Sequence, residues 1–263
     1  MRRRSLPQAM TLGEAKEIAG VLGKPSKLPG FSYGLNARFC RRGGELRGMA
    51  GSVCSTCYAM NDFYASWSPV ARGHSKRHDG LDHPRWADAM VRMIQHHCQA
   101  PDHYFRWHDS GDIQSAAHLE RILEVVVRTP DVHHWLPTRE LADVAAVLEL
   151  RLPAIGRQLL AEARAGDVTS AALCAMLAAE LVPSNLTIRL SADMIDSEIT
   201  IPDALAPLLA RLPTSTVQTA AGHPIQDGKG VVECRAVEAR DNHCGPCRAC
   251  WDRRARVVSY PQH

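Results

Sequence analysis

Short strand-like segments alternate with amphipathic helix-like segments through the middle of this 263-residue chain. "HYFRWH" (103–108) is strand-like, "SAAHLERILEVVVRT" (115–129) has its apolar residues at helical spacing, and "VHHWLP" (132–137) is strand-like again. Two more strand-like segments, "LTIRLS" (186–191) and "STVQTA" (215–220), follow a helical region. Because parallel strands joined by helices form right-handed units, the alternation predicts an α/β fold with a parallel sheet or partial barrel.

Polar clusters follow the first three of these strands at the point where each strand ends. They are "HDSGD" (108–112), "PTRE" (137–140) and "SADMID" (191–196). In parallel α/β folds, ligands bind at the carboxyl ends of the strands. We therefore expect the three clusters to converge on one pocket.

Seven of the nine cysteines fall into two groups in the sequence. No apolar run reaches the length of a signal-peptide core or a membrane span, so we expect a cytoplasmic protein without membrane association. In that reducing compartment, grouped thiols are better candidates for metal ligands than for disulfides, whereas Cys98 and Cys174 in apolar helical segments are predicted core residues. The first group is Cys40, Cys54 and Cys57, and the second is Cys234, Cys244, Cys247 and Cys250.

The second group contains three cysteines at every third position, in "CGPCRAC" (244–250). This spacing is typical of a loop that wraps a [4Fe–4S] cluster, and Cys234 would supply a fourth ligand. Structural zinc also takes four cysteines, usually as two separated pairs. A redox dithiol at Cys244 and Cys247 is the third alternative, although its fold needs more strands after the motif than the sixteen residues that follow Cys247.

The first group offers only three thiols. A [4Fe–4S] cluster held by three cysteines leaves one iron open to bind a small molecule, and a catalytic zinc ion with three protein ligands is the parallel case. A nearby histidine such as His74 is a candidate to complete the site. The alternative is a flexible loop that carries a reactive Cys54 and Cys57 pair.

The titratable residues of the strand-end clusters are candidates for catalysis. His108 beside Asp109 and Asp112 would form a proton-transfer pair, unless Asp112 only caps the next helix. Arg139 would bind a carboxylate or phosphate, unless it pairs with Glu140.

Arginines cluster near both cysteine groups, at positions 38–47 and 253–256. If they rim a pocket, they form a footprint for a phosphate backbone, with DNA as a partner. The net charge of +3 does not decide this, because it is too small to require a polyanionic partner. The alternative is that these arginines are solvated or offset local acids.

The sequence resembles a family of bacteriophage proteins, the gene product 88 family, in six motifs that span most of the chain. The resemblance implies no activity, and relative to the family the segment from about 150 to 181 looks like a helical insertion. The motifs are "FSYGLNARFC", "GSVCSTCYA", "FRWHDSGDIQS", "HWLPTRE", "LTIRLSADMID" and "CGPCRACWDRRARVVSYPQH".

A weaker resemblance is to radical S-adenosylmethionine enzymes, which place a three-cysteine [4Fe–4S] site ahead of a partial α/β barrel. Ser110, Gly111 and Asp112 are similar to the motif that holds the amino group of the cofactor in those enzymes. By the same resemblance, Arg189, Ser191 and Asp193 would meet the rest of the cofactor. The sequence departs from that family in the spacing Cys40-x13-Cys54-x2-Cys57 and in the aromatic Tyr58 after the last cysteine.

Together these observations predict a radical-SAM-like partial barrel over residues 1–230, with a cysteine-rich loop at 24–59, and a four-cysteine extension at 231–263. The expected function is that of an isomerase- or transferase-type enzyme with two [4Fe–4S] clusters and S-adenosylmethionine, which modifies a nucleic-acid base or nucleotide in the host cytoplasm. Flavodoxin or ferredoxin would donate electrons. The alternative is a non-catalytic nucleic-acid-binding protein with structural zinc or iron–sulfur sites.

Overall fold

The computed structural model describes residues 10–60, 68–101, 103–219, 230–236 and 243–262. Within these ranges, seven strands form one all-parallel sheet in the order β1-β2-β3-β4-β5-β7-β6. The sheet is open, because β1 and β6 at its edges do not pair with each other. The strands are β1 (Phe31–Tyr33), β2 (Tyr104–Trp107), β3 (His133–Thr138), β4 (Leu186–Ser191), β5 (Thr214–Gln218), β6 (Val231–Glu233) and β7 (Val257–Pro261).

Helices precede or connect most of these strands, and several begin at residues that cap them. Thr11 and Glu14 form a capping box at the first helix, and the Ser115 hydroxyl accepts a hydrogen bond from His118 N at the helix after β2. No described helix is long and apolar enough to cross a bilayer. The helices are α1 (Leu12–Ala19), α2 (Arg41–Leu46), α3 (Ser68–Gly80), α4 (Trp86–His97), α5 (Ala116–Val127), α6 (Leu141–Arg151), α7 (Ala154–Arg164), α8 (Val168–Glu180) and α9 (Ala206–Leu209).

The hydrophobic core lies on one face of the sheet. Strands β1 to β5 lie side by side in chain order, and right-handed crossovers between such strands place the connecting helices on the same face. Alternate strand residues, among them Phe105, Trp107, Leu136 and Ile188, are buried in one cluster with apolar residues of α4, α5, α6 and α8. Because successive side chains of a strand point to opposite faces, the sheet has this apolar face and a second face.

The second face, which we name the polar face, is formed by Arg106, Trp135, Thr187, Arg189 and Ser191 of β2, β3 and β4. A short 3-10 helix, Ala249–Trp251, packs against it on β3 and β4. The Thr187 hydroxyl donates to the carbonyl of Trp251 over 2.8 Å. The C-terminal cysteine segment therefore covers part of this face.

The predicted α/β fold with a parallel sheet is confirmed, and the four strand-like segments of the sequence correspond to β2, β3, β4 and β5. The segment 24–59, which lacks a sustained period in the sequence, contains β1, α2 and two short 3-10 helices, Ala37–Phe39 and Tyr58–Met60. The three residues of β1 are too few to show the period-two alternation by which strands are recognised.

Two other segments have clear places in the fold. The predicted helical insertion, about 150 to 181, contains the packed pair α7 and α8, and α8 buries Cys174 in the core. Cys98 is also buried there, so both predicted core cysteines are confirmed. The segment 231–263, expected as an extension, instead contributes β6 and β7 to the sheet itself.

Candidate active site

The loops after β2 and β3 are joined at the carboxyl edge of the sheet by one buried carboxylate. Asp112 Oδ1 accepts hydrogen bonds from Ile113 N over 2.8 Å and from the Thr138 hydroxyl over 2.7 Å. Its Oδ2 accepts from Arg139 N over 2.9 Å. Three donors fix this carboxylate, so Asp112 holds the two loops together.

The loop after β4 and the first cysteine loop meet the same edge. Arg139 Nε donates to the carbonyl of Ala192 over 3.0 Å. Asp193 accepts from Arg42 Nη2 over 2.6 Å, and its carbonyl accepts from Val53 N over 2.9 Å. These contacts join the loops after β2, β3 and β4 to one another and to the loop that carries Cys54, while their convergence on one pocket stays a prediction.

The three thiols of the first group lie in the same region, at this edge. A Cβ atom on Gly43 would lie 3.4 Å from Cys54 Sγ and 3.8 Å from Cys40 Sγ, so both sulfurs flank the same point of α2. Cys57 lies within electrostatic reach of both. The fold therefore brings together Cys40 and Cys54, which are separated by thirteen residues in the sequence.

Burial raises the pKa of the Cys40 thiol, and the Asp112 carboxylate and the thiols of Cys57 and Cys54 raise it further. Burial also raises the pKa of Cys54, while the Arg139 guanidinium acts in the opposite direction. Thiolates are metal ligands, and a bound cation would offset the repulsion among the deprotonated sulfurs. Within the described residues, no three His, Cys, Asp or Glu side chains stand in an arrangement that could hold a metal ion.

The second cysteine group lies at the ends of β6 and β7. Cys234 N donates to the carbonyl of Ser259 over 2.7 Å, and Cys244 N donates to Lys27, in the loop before β1, over 3.0 Å. Cys234 lies within electrostatic reach of both Cys244 and Cys250. Burial raises the pKa of Cys250 to about 11, while a hydrogen bond with Tyr260 over 3.2 Å opposes that rise.

Gly111 and Ser110 hold the loop after β1 in place. Gly111 has a φ of 82°, and a Cβ atom there would lie 2.7 Å from Leu35 Cβ and 2.9 Å from Leu35 O. The Ser110 carbonyl accepts from Leu35 N over 2.7 Å. In this structure the glycine-and-acid motif thus fixes the loop that leads to Cys40.

The predicted proton-transfer pair of His108 with Asp109 or Asp112 is not formed. His108 has a φ of 55°, which turns its side chain into the core against His118, with ring centroids 5.5 Å apart. Its ring nitrogens have no hydrogen-bond partner among the described residues, and burial lowers its pKa well below 6.5. Asp109 instead lies beside His74 at Gly34, and within the described residues His74 is not part of a group that could hold a metal ion.

Arg189 and Ser191 have structural partners on the polar face. Arg189 is fully buried and donates to four carbonyl oxygens, so its Nη groups anchor the C-terminal segment to β4 and β5. The Ser191 hydroxyl is 3.1 Å from the Ser215 hydroxyl. The acceptors of Arg189 are Thr214, Ala249, Asp252 and Ala255.

Arg139 does not form the alternative ion pair with Glu140. Glu140 pairs with Arg41 over 3.1 Å, which leaves the Nη groups of Arg139 without a partner among the described residues. Its guanidinium lies within electrostatic reach of Cys54. Arg139 is therefore a cation available beside the first cysteine group.

A family model described as gene product 88 matches residues 5–155, more than half of the chain. The chain belongs to the gene product 88 family. The match covers the first cysteine group and the clusters after β2 and β3, and it ends in α7, within the predicted insertion. No curated protein and no solved structure matches the chain.

The arginine patches of this gene product 88 protein are largely engaged. Arg42 pairs with Asp193 and Glu45, and Arg254 pairs with Asp252. Arg253 and Arg256 donate to main-chain carbonyls of the sheet and its loops. These contacts favour the alternative that the arginines satisfy local partners over the predicted phosphate-binding rim.

Three residues on or beside the polar face were missed as site candidates in the gene product 88 sequence: Arg106, Trp135, and Tyr260 of β7, whose ring stacks on Trp135 with centroids 6.4 Å apart. Arg106 lies within electrostatic reach of Tyr58, next to Cys57, and also of Cys250. The sequence did contain a signal for Arg106, which is a charged residue between Phe105 and Trp107 of a predicted strand. A charge inside a sheet usually has a partner of opposite charge or a hydrogen-bond partner.

Proposed function

We propose that this gene product 88 protein is an iron–sulfur enzyme of radical-SAM-like type that acts on a nucleotide or nucleic-acid base. One observation carries the proposal: three thiols from a loop after β1 meet the polar groups that follow β2, β3 and β4 at one edge of a parallel sheet. Ligand sites of parallel α/β folds lie at this edge. A purely structural metal site does not require this position at the carboxyl edge of the sheet.

Cys40, Cys54 and Cys57 would hold the first [4Fe–4S] cluster, and Cys234, Cys244, Cys247 and Cys250 an auxiliary one. A three-thiolate cluster supplies electrons and an iron with an open coordination position when it is bound. The four thiols of the second group leave no such position, so we assign it electron transfer or substrate anchoring.

The residues of the chain have separate roles in this proposal. Arg139 beside Cys54 binds the carboxylate of S-adenosylmethionine, because its Nη groups have no competing acid among the described residues. Asp112 and Gly111 position the loops that carry this arginine and Cys40. Trp251 and its neighbours exclude water from the sheet below.

The second candidate is a non-catalytic nucleic-acid-binding protein with structural zinc. It is favoured by the four-cysteine composition of the second group, which is also a donor set for structural zinc.

Metal analysis of anaerobically purified protein separates the two candidates. We expect iron and sulfide at two clusters per chain, with Cys54→Ala and Cys247→Ala each losing about half and the core variant Cys174→Ala losing none. With dithionite or flavodoxin as electron donor, wild type but not Cys54→Ala should cleave S-adenosylmethionine to methionine and 5′-deoxyadenosine. Stoichiometric zinc without sulfide after growth in iron-rich medium would support the zinc protein instead.

A further inference from the structure

Arg106 and Trp135 form a pair on the polar face, midway across the sheet. They are register partners on β2 and β3, and the Arg106 guanidinium carbon lies 4.4 Å from the Trp135 ring centroid. This cation–π contact holds the guanidinium over the indole ring. Within the part of the chain that the structure describes, Arg106 makes no ion pair.

Three buried N–H donors on this face have no acceptor among the described residues. They are Arg106 Nε, Trp135 Nε1 and Arg189 Nε. Trp135 is 3% exposed and Arg189 is 0% exposed, so water does not solvate these two side chains from outside. A buried donor without an acceptor is destabilising, and a bound water or ion is one way in which native proteins satisfy such a group.

The donors lie between the two cysteine groups. Arg106 is within electrostatic reach of Tyr58 and Asp109, near the first cysteine group, and of Tyr260 and Cys250, near the second. The Asp109 carboxylate lies within electrostatic reach of Arg106, but the three N–H groups still have no acceptor among the described residues. The missing partner is therefore an acceptor, and oxyanions are the acceptors that arginine binds most strongly.

We propose that Arg106 and Trp135 bind the oxyanion of a small ligand, a phosphate or a carboxylate, on the polar face between the cysteine groups. Arginine binds both kinds of oxyanion in its planar fork, and the indole N–H adds a donor that only an acceptor can satisfy. The inference rests on the proposed function for the kind of substrate, which would be a nucleotide that this site holds by its phosphate. Binding of the anion itself does not depend on iron.

Isothermal titration calorimetry of the full-length protein tests this with three probes: thymidine 5′-monophosphate, thymidine and S-adenosylmethionine. We expect the monophosphate to bind at least tenfold more tightly than thymidine if the oxyanion is a phosphate. Binding of S-adenosylmethionine that depends on Arg106 and Trp135 and persists in Arg139→Gln would identify a carboxylate at this site. Arg106→Gln should weaken the bound anion at least tenfold and Trp135→Phe several-fold.

Matched controls separate recognition from folding. Arg254→Gln removes an exposed arginine that pairs only locally, and Trp86→Phe removes a core indole N–H that already donates to the Tyr33 hydroxyl over 3.1 Å. Both should keep the anion affinity, and Trp86→Phe should lower the melting temperature. If Arg106→Gln does not fold, the comparison of Trp135→Phe with Trp86→Phe decides.

Failure of all three probes to bind, or binding that is unchanged in Arg106→Gln and Trp135→Phe, would overturn the oxyanion site. Loss of iron or of cofactor cleavage would count against the proposed function and not against the site, because the titration requires neither. The two failures are therefore distinguishable.

Discussion

Gly111 allows the loop after β2 to pass directly against the loop that leads to the first cysteine. Gly111→Ala should lower the free energy of unfolding by about 3 kcal/mol, since alanine there combines a left-handed backbone with overlap at Leu35. Gly166→Ala is the matched control: its φ is 101°, but nothing lies within 4 Å of the added Cβ, and we expect a loss of only about 1 kcal/mol. Urea denaturation measures the free energy of unfolding of both variants. Equal losses would contradict the close contact between Gly111 and Leu35.

Asp112 makes stability depend on pH. Burial raises its pKa to about 6, while hydrogen bonds from Arg139 and Thr138 oppose the rise. Because the folded pKa lies above the unfolded value of 3.8, the folded state binds more protons between these values, and stability falls as pH rises from about 4 to about 6. We expect a fall of about 3 kcal/mol from this group.

Urea denaturation of Asp112→Asn between pH 4 and pH 7 checks the effect, since the variant should lack that fall. The exposed Asp131→Asn is the control for a lost negative charge, and its profile should follow the wild type. Parallel profiles for wild type and Asp112→Asn would refute the assignment.

At the scale of single residues, the sequence predicted the position of the strand-end residues but not the conformation of His108. The spacing predicted that His108, Asp112 and Arg139 lie at one strand edge, and they do lie on adjoining loops. It did not predict the positive φ of His108, because residues other than glycine adopt this conformation only under the constraint of the surrounding fold. The side chain of His108 therefore entered the core and not the site.

Among the elements, the segment 249–255 depends on Arg189. Arg189→Met leaves four carbonyls without their donor, and we expect a loss of at least about 3 kcal/mol in the free energy of unfolding. Arg254→Met, with an exposed side chain, should change it by less than about 0.5 kcal/mol. Thiol labelling of Cys250 should also accelerate in Arg189→Met only, and an unchanged rate would show that the segment is held by other contacts.

The strands differ in how well the sequence predicted them. Strands β2 to β5 lie in segments of four to six residues with recognisable composition. Strands β1 and β6 have three residues each, so their pairing is decided by tertiary contacts that no local period records. The two cysteine groups were evident in the sequence, but the polar face between them required the register of β2, β3 and β4.

For the molecule as a whole, we expect the affinity for duplex DNA to depend only weakly on salt concentration. Arginines of the two patches pair with carboxylates or carbonyls, so few are free to displace counterions. We expect the affinity for a labelled 20-base-pair duplex to fall about tenfold or less between 50 and 200 mM salt, compared with about 10³-fold or more for six or more phosphate contacts. Fluorescence anisotropy measures the affinity. A thousandfold fall would support the predicted phosphate-binding rim instead.

Strand β7 lies between β5 and β6, although it follows β6 in the chain. Strand β6 therefore has no neighbour to join until the later strand has entered the gap, and the cysteines that connect the two travel with them. The last strand of the chain must therefore be in place before β6 can join the sheet. A chain truncated between Cys234 and Val257 loses β7, and with it the pairing partner of β6 and the covering of the polar face.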